Sequence, residues 1–401
     1  MRMTLNKPSQ LALVAGVSLL AAGLMTACGT LTVDFVYVSS AKAAGPNNYG
    51  EIDVFEVNSE SGRMRQIPTS PFPSGGRNPV AEVVAPDNAN LYVVNEDDNT
   101  IVQFVIGNDG KLYPQNTVNT PGVFPMATAT GGGFLFVADT YQPLPACSTA
   151  SPCSGSVAVF PIGSNDVLGS AVENTSVSGS YWPLSLPGNP THVMVPTAVA
   201  TAASGAYVYV SAYDATTTGG YIFGFAVNTD GTLSALNGGA PFAAGGHPSA
   251  MAASPDGSLL YVTDFKNNKV LVYSLASGAL TQIGGSPFPS GTSPSAIVVD
   301  GTGKWVYVAN SQDSNVTAYS SAAGVLSSVG VYTTGTQPVA IGIDPGLNQY
   351  LYTANFLDSS VSGFQIQPAD GTLLHSQFSS YAANLNPTAV AAIPHGSAIK
   401  K

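Results

Sequence analysis

Short apolar runs alternate with turn residues along almost the whole chain. One typical stretch reads Ser249–Ser254, a Pro-Asp-Gly turn, Leu259–Thr263, a polar loop and then Val270–Leu275. Short segments rich in Val, Tyr, Phe and Ala and bounded by turn residues are typical of β-strands. No segment after residue 28 has the periodicity of an amphipathic helix. The pattern therefore predicts an all-β protein.

The same succession of strands recurs along the sequence. Each copy begins at a proline that precedes an apolar run: Pro79, Pro125, Pro196, Pro248, Pro294, Pro338 and Pro387. The intervals between these prolines are 46, 71, 52, 46, 44 and 49 residues. The phrase Ser-Pro-Phe-Pro-Ser-Gly also occurs twice, at Ser70–Gly75 and Ser286–Gly291, with a looser copy at Ala240–Gly245. Self-similarity of this period predicts a repeat architecture.

Each repeat is predicted to form one four-stranded antiparallel blade of a β-propeller. Asp-Gly pairs precede the last strand of several repeats and suit tight hairpins, because both residues can take positive φ. These pairs are Asp109-Gly110, Asp230-Gly231 and Asp370-Gly371.

The number of blades follows from the two ends of the chain. Six prolines, from Pro79 to Pro338, open complete repeats. The chain begins with two strands, Phe35–Ser39 and Glu51–Asn58, and ends with one apolar run, Thr388–Ile393. Leaving either fragment unpaired would expose a sheet edge. We therefore predict a seven-bladed β-propeller in which one blade is closed by strands from both termini.

The first residues have the features of an export signal. Arg2 and Lys7 precede an apolar run from Leu11 to Leu24, which is too short to favour a spanning helix. Met25-Thr26-Ala27-Cys28 resembles a bacterial lipobox, in which the cysteine is lipidated, and simple secretion is the alternative. We predict a lipoprotein signal peptide over 1–27, a tether over 28–34, the propeller over 35–394 and a tail over 395–401. The predicted location is the bacterial cell envelope, on the outer membrane or cell surface, with the lipid anchor as the membrane contact.

Two cysteines remain after Cys28. Cys147 and Cys153 flank a Ser-Thr-Ala-Ser-Pro loop in a chain destined for an oxidising compartment, so we predict a disulfide between them. No histidine or third cysteine lies near this pair in the sequence, and no metal site is predicted.

Charge limits the classes of partner. Without residues 1–27, which contain Arg2 and Lys7, ten Lys+Arg face 23 Asp+Glu, a net charge of −13. Nucleic acid is a poor partner because binding its backbone needs a cationic surface. Charged residues are only 9% of the chain, against roughly 25% in typical soluble domains. We predict a monomer without a cofactor.

The Tyr-Val-x-Asn/Asp segments carry a family resemblance. They are Tyr92–Asn95, Tyr261–Asp264, Tyr307–Asn310 and, more loosely, Tyr352–Asn355. With the Pro-Asp-Gly turns, residues 33–394 resemble the lactonase-like seven-bladed propellers, which include the propeller form of 6-phosphogluconolactonase and fungal muconate-lactonising enzymes. The resemblance implies a polar central pocket in which one repeat supplies an arginine and a glutamate.

The charged residues implied by the resemblance are largely replaced here. In the best-matching repeat, Ser249 occupies the arginine position, Ala250 the adjacent histidine position and Phe265 the glutamate position. A second repeat keeps the acid as Glu96, but its arginine position is Val80.

Two residues remain candidates for catalysis. His247 precedes an innermost strand and could act as a general base, or it could be a loop histidine hydrogen-bonded to the backbone. Glu96 could be the remaining family acid, or part of a solvated acidic loop with Asp97 and Asp98. The recurrent Asn95, Asp139, Asp264, Asn310 and Asn355 could line a ligand ring, although capping of turns is the simpler interpretation.

Two long insertions suggest a binding surface. Tyr141–Gly155 and Gly163–Pro190 exceed ordinary blade connections, and long loops in compact folds are often functional. Tyr141, Tyr181 and Trp182 could bind a protein or glycan, with packing against their own blade as the alternative. Two functions therefore remain: a non-catalytic envelope binding protein, which the missing charges favour, and a lactone hydrolase of the 6-phosphogluconolactonase type.

Overall fold

Seven antiparallel β-sheets surround a common axis in the computed structural model, which describes residues 31–41, 46–164 and 166–395. Each sheet is one blade, and its innermost strand lies beside the innermost strands of both neighbouring blades. The predicted seven-bladed all-β propeller is confirmed. The predicted signal peptide, Cys28 and residues 396–401 of the predicted tail lie outside the described residues.

All blades share one order, with successive strands placed from the axis outward. Blade 1 contains Pro79–Val84, Asn90–Asn95, Thr100–Ile106 and Leu112–Asn119. Blade 2 contains Val123–Gly131, Phe134–Tyr141, Ser156–Pro161 and Trp182–Pro183. Blade 3 contains Met194–Ala202, Tyr207–Asp214, Gly220–Val227 and Leu233–Ala235, with Phe242–Ala243 beside its third strand. Blade 4 contains Pro248–Ala253, Leu259–Asp264, Lys269–Ala276 and Ala279–Gln282, with Phe288–Pro289 beside its third strand.

Blade 5 contains Pro294–Val299, Trp305–Asn310, Asn315–Ala322 and Val325–Thr333. Blade 6 contains Pro338–Ile343, Tyr350–Asn355, Ser360–Ile366 and Leu373–His375, with Tyr381–Ala382 beside its third strand. Blade 7 contains Pro387–Pro394, Thr32–Ser40, Glu51–Asn58 and Met64–Gln66, with Phe72–Pro73 beside its third strand. Three short 3-10 helices, Pro46–Asn48, Ala203–Gly205 and Asn237–Gly239, lie in connections. No helix in the described ranges is both long and apolar enough to cross a membrane.

Blade 7 closes the ring with strands from both ends of the chain. Its innermost strand, Pro387–Pro394, pairs antiparallel with Thr32–Ser40, and Val38 lies opposite Val390. The first strand begins at Thr32, and Asp34 is completely buried. Residues 32–34 therefore belong to the blade and not to the predicted tether.

Apolar clusters fill the junctions between neighbouring blades, seven in the described part of the chain. At the junction of blades 7 and 1, Phe35 and Ile393 pack with Leu91 and Phe104. Full burial of one such side chain contributes about 1.5–3 kcal/mol. Because every blade shares its two faces with neighbours, no blade has a complete core of its own.

Tyrosines on the second strands of several blades bind the neighbouring blade. Tyr37 in blade 7 is fully buried and donates its hydroxyl proton to the carbonyl of Gly110 in blade 1. Tyr307 in blade 5 makes the same bond to Gly371 in blade 6. Gly371 has a φ of +72°, and a Cβ there would lie 2.4 Å from the Trp305 ring. The Asp-Gly turn therefore needs glycine for both its backbone conformation and the close approach of the next blade.

The repeated Ser-Pro-Phe phrase forms the short fifth strand of a blade. Phe72–Pro73 and Phe288–Pro289 each pair with the third strand of their blade. The serine that opens each phrase accepts a hydrogen bond from that strand, Ser70 from the Val54 N–H and Ser286 from the Val272 N–H. The phrase is therefore explained by structure and not by ligand binding.

Candidate functional site

The candidate residues lie on one face of the propeller. We call this face the proline rim; it is where each innermost strand begins at its proline and the second strand of the blade ends. Pro79 opposes Asn95 in blade 1, and Pro248 opposes Asp264 in blade 4. His247 and Glu96 each adjoin one of these pairs, so both predicted catalytic residues are on the proline rim.

The recurrent Asn and Asp residues stabilise the loops of this rim. Asp264 accepts hydrogen bonds from the backbone N–H groups of Gly246, at 2.8 Å, and His247, at 3.0 Å. Asp139 is fully buried and accepts the Gly122 N–H at 3.2 Å. A Cβ at Gly122 would lie 2.3 Å from the Asp139 side chain, so the contact is tight. These bonds are the ones expected if the recurrent Asn and Asp residues cap turns.

The position that the family resemblance assigns to arginine has a structural use here. The Ser249 hydroxyl lies 2.6 Å from the Pro294 carbonyl of the next blade. Ser295 and Thr388 make the equivalent bonds, to Pro338 and Pro79, both at 2.7 Å. A short hydroxyl at this position therefore joins consecutive blades next to the axis.

His247 lies in an aromatic trio on the proline rim, which we define as Tyr213, His247 and Phe265. The His247 ring meets the Tyr213 ring edge-on at 4.1 Å and the Phe265 ring at 5.8 Å. Burial lowers the pKa of His247, which favours the neutral ring. No described side chain or backbone group forms a hydrogen bond with its ring nitrogens. Phe265 is 38% exposed, so the trio presents an apolar edge to solvent.

Glu96 belongs to a charged group in blade 1. Its Oε2 accepts a 2.6 Å hydrogen bond from the Asn78 side chain. Burial, and then the nearby Asp97, raise its pKa. Arg77, which is next to Asn78, is bound to Asp98 through its Nε at 2.7 Å and through a second nitrogen at 2.5 Å. Arg77 therefore belongs to the same charged group of blade 1 as the remaining family acid, but Asp98 binds it.

Glu96 and His247 do not form a common site. Glu96 is in blade 1 and His247 in blade 4, so blades 2 and 3 separate them on one side of the ring. No hydrogen bond or ion pair among the described residues joins the two. The two residues that the sequence suggested for one reaction therefore lie in separate local environments.

A histidine–carboxylate pair on the same rim was missed from the sequence. Nδ1 of His192 lies 2.6 Å from Oδ2 of Asp214, which is 1% exposed and ends the second strand of blade 3. Burial alone would raise the pKa of Asp214, but bonds from Thr217, Thr216 and His192 outweigh it and lower the pKa to about 2. The ionised carboxylate favours a proton on Nδ1, and Nε2 forms no hydrogen bond with a described residue. The two partners are 22 positions apart and His192 lies in an insertion, so the sequence gave no signal of this pairing.

Glu82 is a half-buried residue on an innermost strand, and its Oε1 atom is shielded from solvent. Its Oε2 accepts a 2.5 Å hydrogen bond from Ser39 in blade 7. Burial raises its pKa to about 7, although the bonds from Ser39 and the Ala391 backbone partly oppose the change. It therefore gains and loses its proton around neutral pH, and it lies at the seam between blades 7 and 1.

The aromatic residues of the insertions are mostly part of the core. Tyr181 and Trp182 are each 7% exposed, and Trp182 Nε1 donates to the Leu233 carbonyl of blade 3 at 3.1 Å. Both rings are therefore largely closed to a ligand, and Trp182 packs against blade 3 as well as within its own blade. Tyr141 remains partly exposed at the rim, edge-on to Phe124. Cys147 and Cys153 form the predicted disulfide, with their Cα atoms 5.3 Å apart.

A depression of about 500 Å³ lies on the opposite face. Turns of blades 1 to 4 line it, including Pro86, Gly132, Thr201, Gly205 and Ser254. Its lining contains no ionisable side chain, so it offers no group for acid–base chemistry. In the described ranges no three His, Cys, Asp or Glu residues are grouped closely enough to hold a metal ion.

Comparison with known proteins identifies the family. The model of the family described as "Lactonase, 7-bladed beta-propeller" matches residues 35–183 and 185–397. The chain belongs to this lactonase family. The resemblance drawn from the Tyr-Val-x-Asn/Asp segments is thereby confirmed. No curated protein matches the sequence.

Solved structures similar to this lactonase-family chain share its fold at low identity. A periplasmic gluconolactonase of Pseudomonas aeruginosa is 20% identical, with a TM-score of 0.71 over 90% of this chain and 99% of that one. A candidate 6-phosphogluconolactonase of Bacteroides fragilis is 21% identical, with a TM-score of 0.70 over 91% and 99%. Identity at this level establishes the fold, and the activity has to be argued from the residues present.

Proposed function

We propose that this lactonase-family propeller is an extracytoplasmic, lipid-anchored binding protein of the bacterial cell envelope, without lactonase activity. One observation carries the proposal. The position that the family resemblance assigns to arginine is Ser249, and its hydroxyl is used to join blades 4 and 5. The adjacent Ala250 and the nearby Phe265 supply neither a base nor a cation.

Lactone hydrolysis requires two groups that this part of the rim does not combine. A base must activate water, and a donor or cation must stabilise the developing oxyanion. A phosphorylated substrate would also favour cationic side chains near its phosphate. Within the described part of the chain, the arginine that lies on the proline rim is Arg77. Asp98 already binds its guanidinium through two nitrogens.

The location is supported by independent features. Cys147 and Cys153 form a disulfide, which persists in oxidising compartments. The sequence Met25-Thr26-Ala27-Cys28 follows a basic start and an apolar run. One structurally similar protein is named a periplasmic gluconolactonase. We infer export from the cytoplasm and attachment through a lipid on Cys28. Labelling with a palmitate analogue should be lost in Cys28→Ser, and unchanged labelling would reject the anchor.

We propose the aromatic trio as the binding surface, because Phe265 is exposed whereas Tyr181 and Trp182 are largely buried. An exposed aromatic edge next to polar loops suits stacking on a sugar ring or contact with a protein side chain. Binding to purified cell-wall glycan fragments and to envelope proteins should weaken in Phe265→Ala. Phe378→Ala is the matched control, because Phe378 is an exposed phenylalanine of blade 6 and lies outside the rim. Equal binding by both variants would exclude the trio as the binding surface.

The His192–Asp214 pair favours lactone hydrolysis as the second candidate function. Its buried carboxylate, fixed Nδ1 and unpaired Nε2 are the features of a general base. If the protein hydrolyses lactones through this pair, His192→Ala should remove the activity, while His247→Ala and Glu96→Gln should retain it. If none of the three variants changes a measurable rate, the site of hydrolysis lies elsewhere.

A further inference from the structure

Both ends of the described chain lie on the face opposite the proline rim. Ser40 pairs with Pro387 at the rim, whereas Asp34 pairs with Pro394 at the far end of the same two strands. His395 continues beside the beginning of the chain, since its N–H donates to the Val33 carbonyl at 2.7 Å. The eight residues of the innermost strand separate the two faces by roughly 25 Å, at about 3.3 Å per residue.

The predicted lipid attachment site is very close to this far face. Leu31 is the third residue after Cys28, and the first strand begins at Thr32. An extended chain covers at most about 3.6 Å per residue, so three residues reach roughly 10 Å. A propeller attached through Cys28 therefore cannot move far from the bilayer, and the surface around Leu31 stays within reach of it.

That surface has the composition of a membrane-contacting face. We define the anchor face as Leu31, Arg63, Arg65 and Phe378. Leu31 is 75% and Phe378 67% exposed. The Arg63 guanidinium lies 5.0 Å from the centroid of the Phe378 ring. Leu31, Arg63 and Arg65 also line one shallow depression of about 190 Å³.

The charges of the anchor face are arranged for contact with phosphate groups. Arg65 is bound to Glu56, and its side chain is 76% exposed. Arg63 forms no salt bridge with any described residue, so its guanidinium is free to bind an anion. Guanidinium groups bind phosphate oxygens in pairs of hydrogen bonds, and aromatic rings favour the interfacial region of a bilayer. Elsewhere the propeller is strongly acidic and would be repelled by an anionic surface.

We propose that the anchor face rests on the phospholipid headgroups of the membrane that holds the Cys28 lipid, so that the proline rim points away from the bilayer. The inference rests on the lipid anchor of the proposed function. It adds an orientation: Phe378 and Leu31 enter the interface, Arg63 binds lipid phosphate, and the aromatic trio is presented to partners outside the membrane.

The orientation can be measured on the lipidated full-length protein in vesicles of phosphatidylcholine and phosphatidylglycerol. A single labelling cysteine is introduced by Glu60→Cys, in the turn next to Arg63, or by Lys266→Cys, beside Phe265 on the proline rim. Headgroup nitroxide lipids should quench a dye at position 60 and leave a dye at position 266 almost unquenched. Arg63→Gln with Arg65→Gln and Phe378→Ser should remove the difference while the protein stays attached. Arg77→Gln, an arginine of the opposite face, should preserve it.

The outcomes separate the anchor from the orientation. Equal quenching at both positions in attached protein overturns the orientation and leaves the anchor intact. Protein that remains attached after Cys28→Ser, or that carries no lipid, overturns both. An unchanged melting temperature in the triple variant shows that its loss of quenching does not come from unfolding, as expected for three exposed side chains.

Discussion

Replacing Glu82 by glutamine should make the propeller less sensitive to alkaline pH. In the folded protein burial raises the pKa of Glu82 from 4.5 to about 7. An unfolded chain releases the same proton near pH 4.5, so the folded state binds it more tightly. The contribution of the protonated carboxyl to the free energy of unfolding is fully present below pH 4.5 and is lost as pH rises through 7. The difference between the two pKa values corresponds to about 3 kcal/mol.

Glutamine retains the contact that the carboxyl makes. Its amide oxygen can accept the bond from Ser39, which is 2.5 Å from Glu82 Oε2, and its NH2 group carries no charge to bury. Glu82→Gln should therefore exceed the wild type by less than about 1 kcal/mol at pH 5 and by about 3 kcal/mol at pH 8. Denaturant melts across this range measure the difference.

Asp230→Asn provides the control. Asp230 is exposed, and hydrogen bonds from Thr232 lower its pKa, so it is ionised throughout pH 5–8. Its effect on stability should be constant over that range. Parallel pH profiles for Glu82→Gln and the wild type would show that Glu82 is ionised in the folded protein and would refute the argument. Burial raises the pKa values of three further carboxyls, Asp34 to about 8, Asp53 to about 6 and Asp139 to about 7, so the wild type itself should be more stable at pH 5 than at pH 8.

Three further changes test the packing account by thermal or denaturant melts. Ile393→Ala removes a side chain that is 1% exposed at the seam of blades 7 and 1 and should lower the free energy of unfolding by about 2–5 kcal/mol. Leu374→Ala, at a side chain that is 54% exposed, should lower it little. Equal losses in the two variants would contradict the closure of the ring. Gly371→Ala places a Cβ 2.4 Å from the Trp305 ring and should destabilise far more than Gly238→Ala, where φ is also positive but the space is open. Trp182→Ala should cost about 3–5 kcal/mol, and a change below 1 kcal/mol would restore the exposed-loop interpretation.

The blade architecture was predictable because the same sequence features recur in every repeat. The proline, the apolar runs and the Asp-Gly turns recur, so an error in one repeat is corrected by the others. Closure followed from the two incomplete ends, since Thr388–Ile393 supplies the inner strand that Phe35–Ser39 lacks. The exact start at Thr32 was missed, because Asp34 is polar and yet fully buried.

The site was less predictable because its contacts join segments that repeat in no other blade. His192 is carried by an insertion, and its pairing with Asp214 depends on how that insertion folds over blade 3. Trp182 lies in a polar, proline-rich loop, yet it supplies a short outer strand and an inter-blade contact. Neither outcome can be derived from residue type or spacing alone. The absence of the family's charged residues was visible in the sequence, and the structure adds the bond that occupies Ser249.

Hydrolysis of 6-phosphogluconolactone and of simple γ- and δ-lactones by the purified mature protein tests the central claim most directly. Spontaneous opening is subtracted, and the Pseudomonas aeruginosa periplasmic gluconolactonase, assayed alongside on its own substrate, shows that the assay detects an active propeller. The account predicts rates indistinguishable from spontaneous opening for the wild type, His192→Ala, His247→Ala and Glu96→Gln. A substantial rate that is lost in any of these three variants would contradict it and identify the chain as a lactonase.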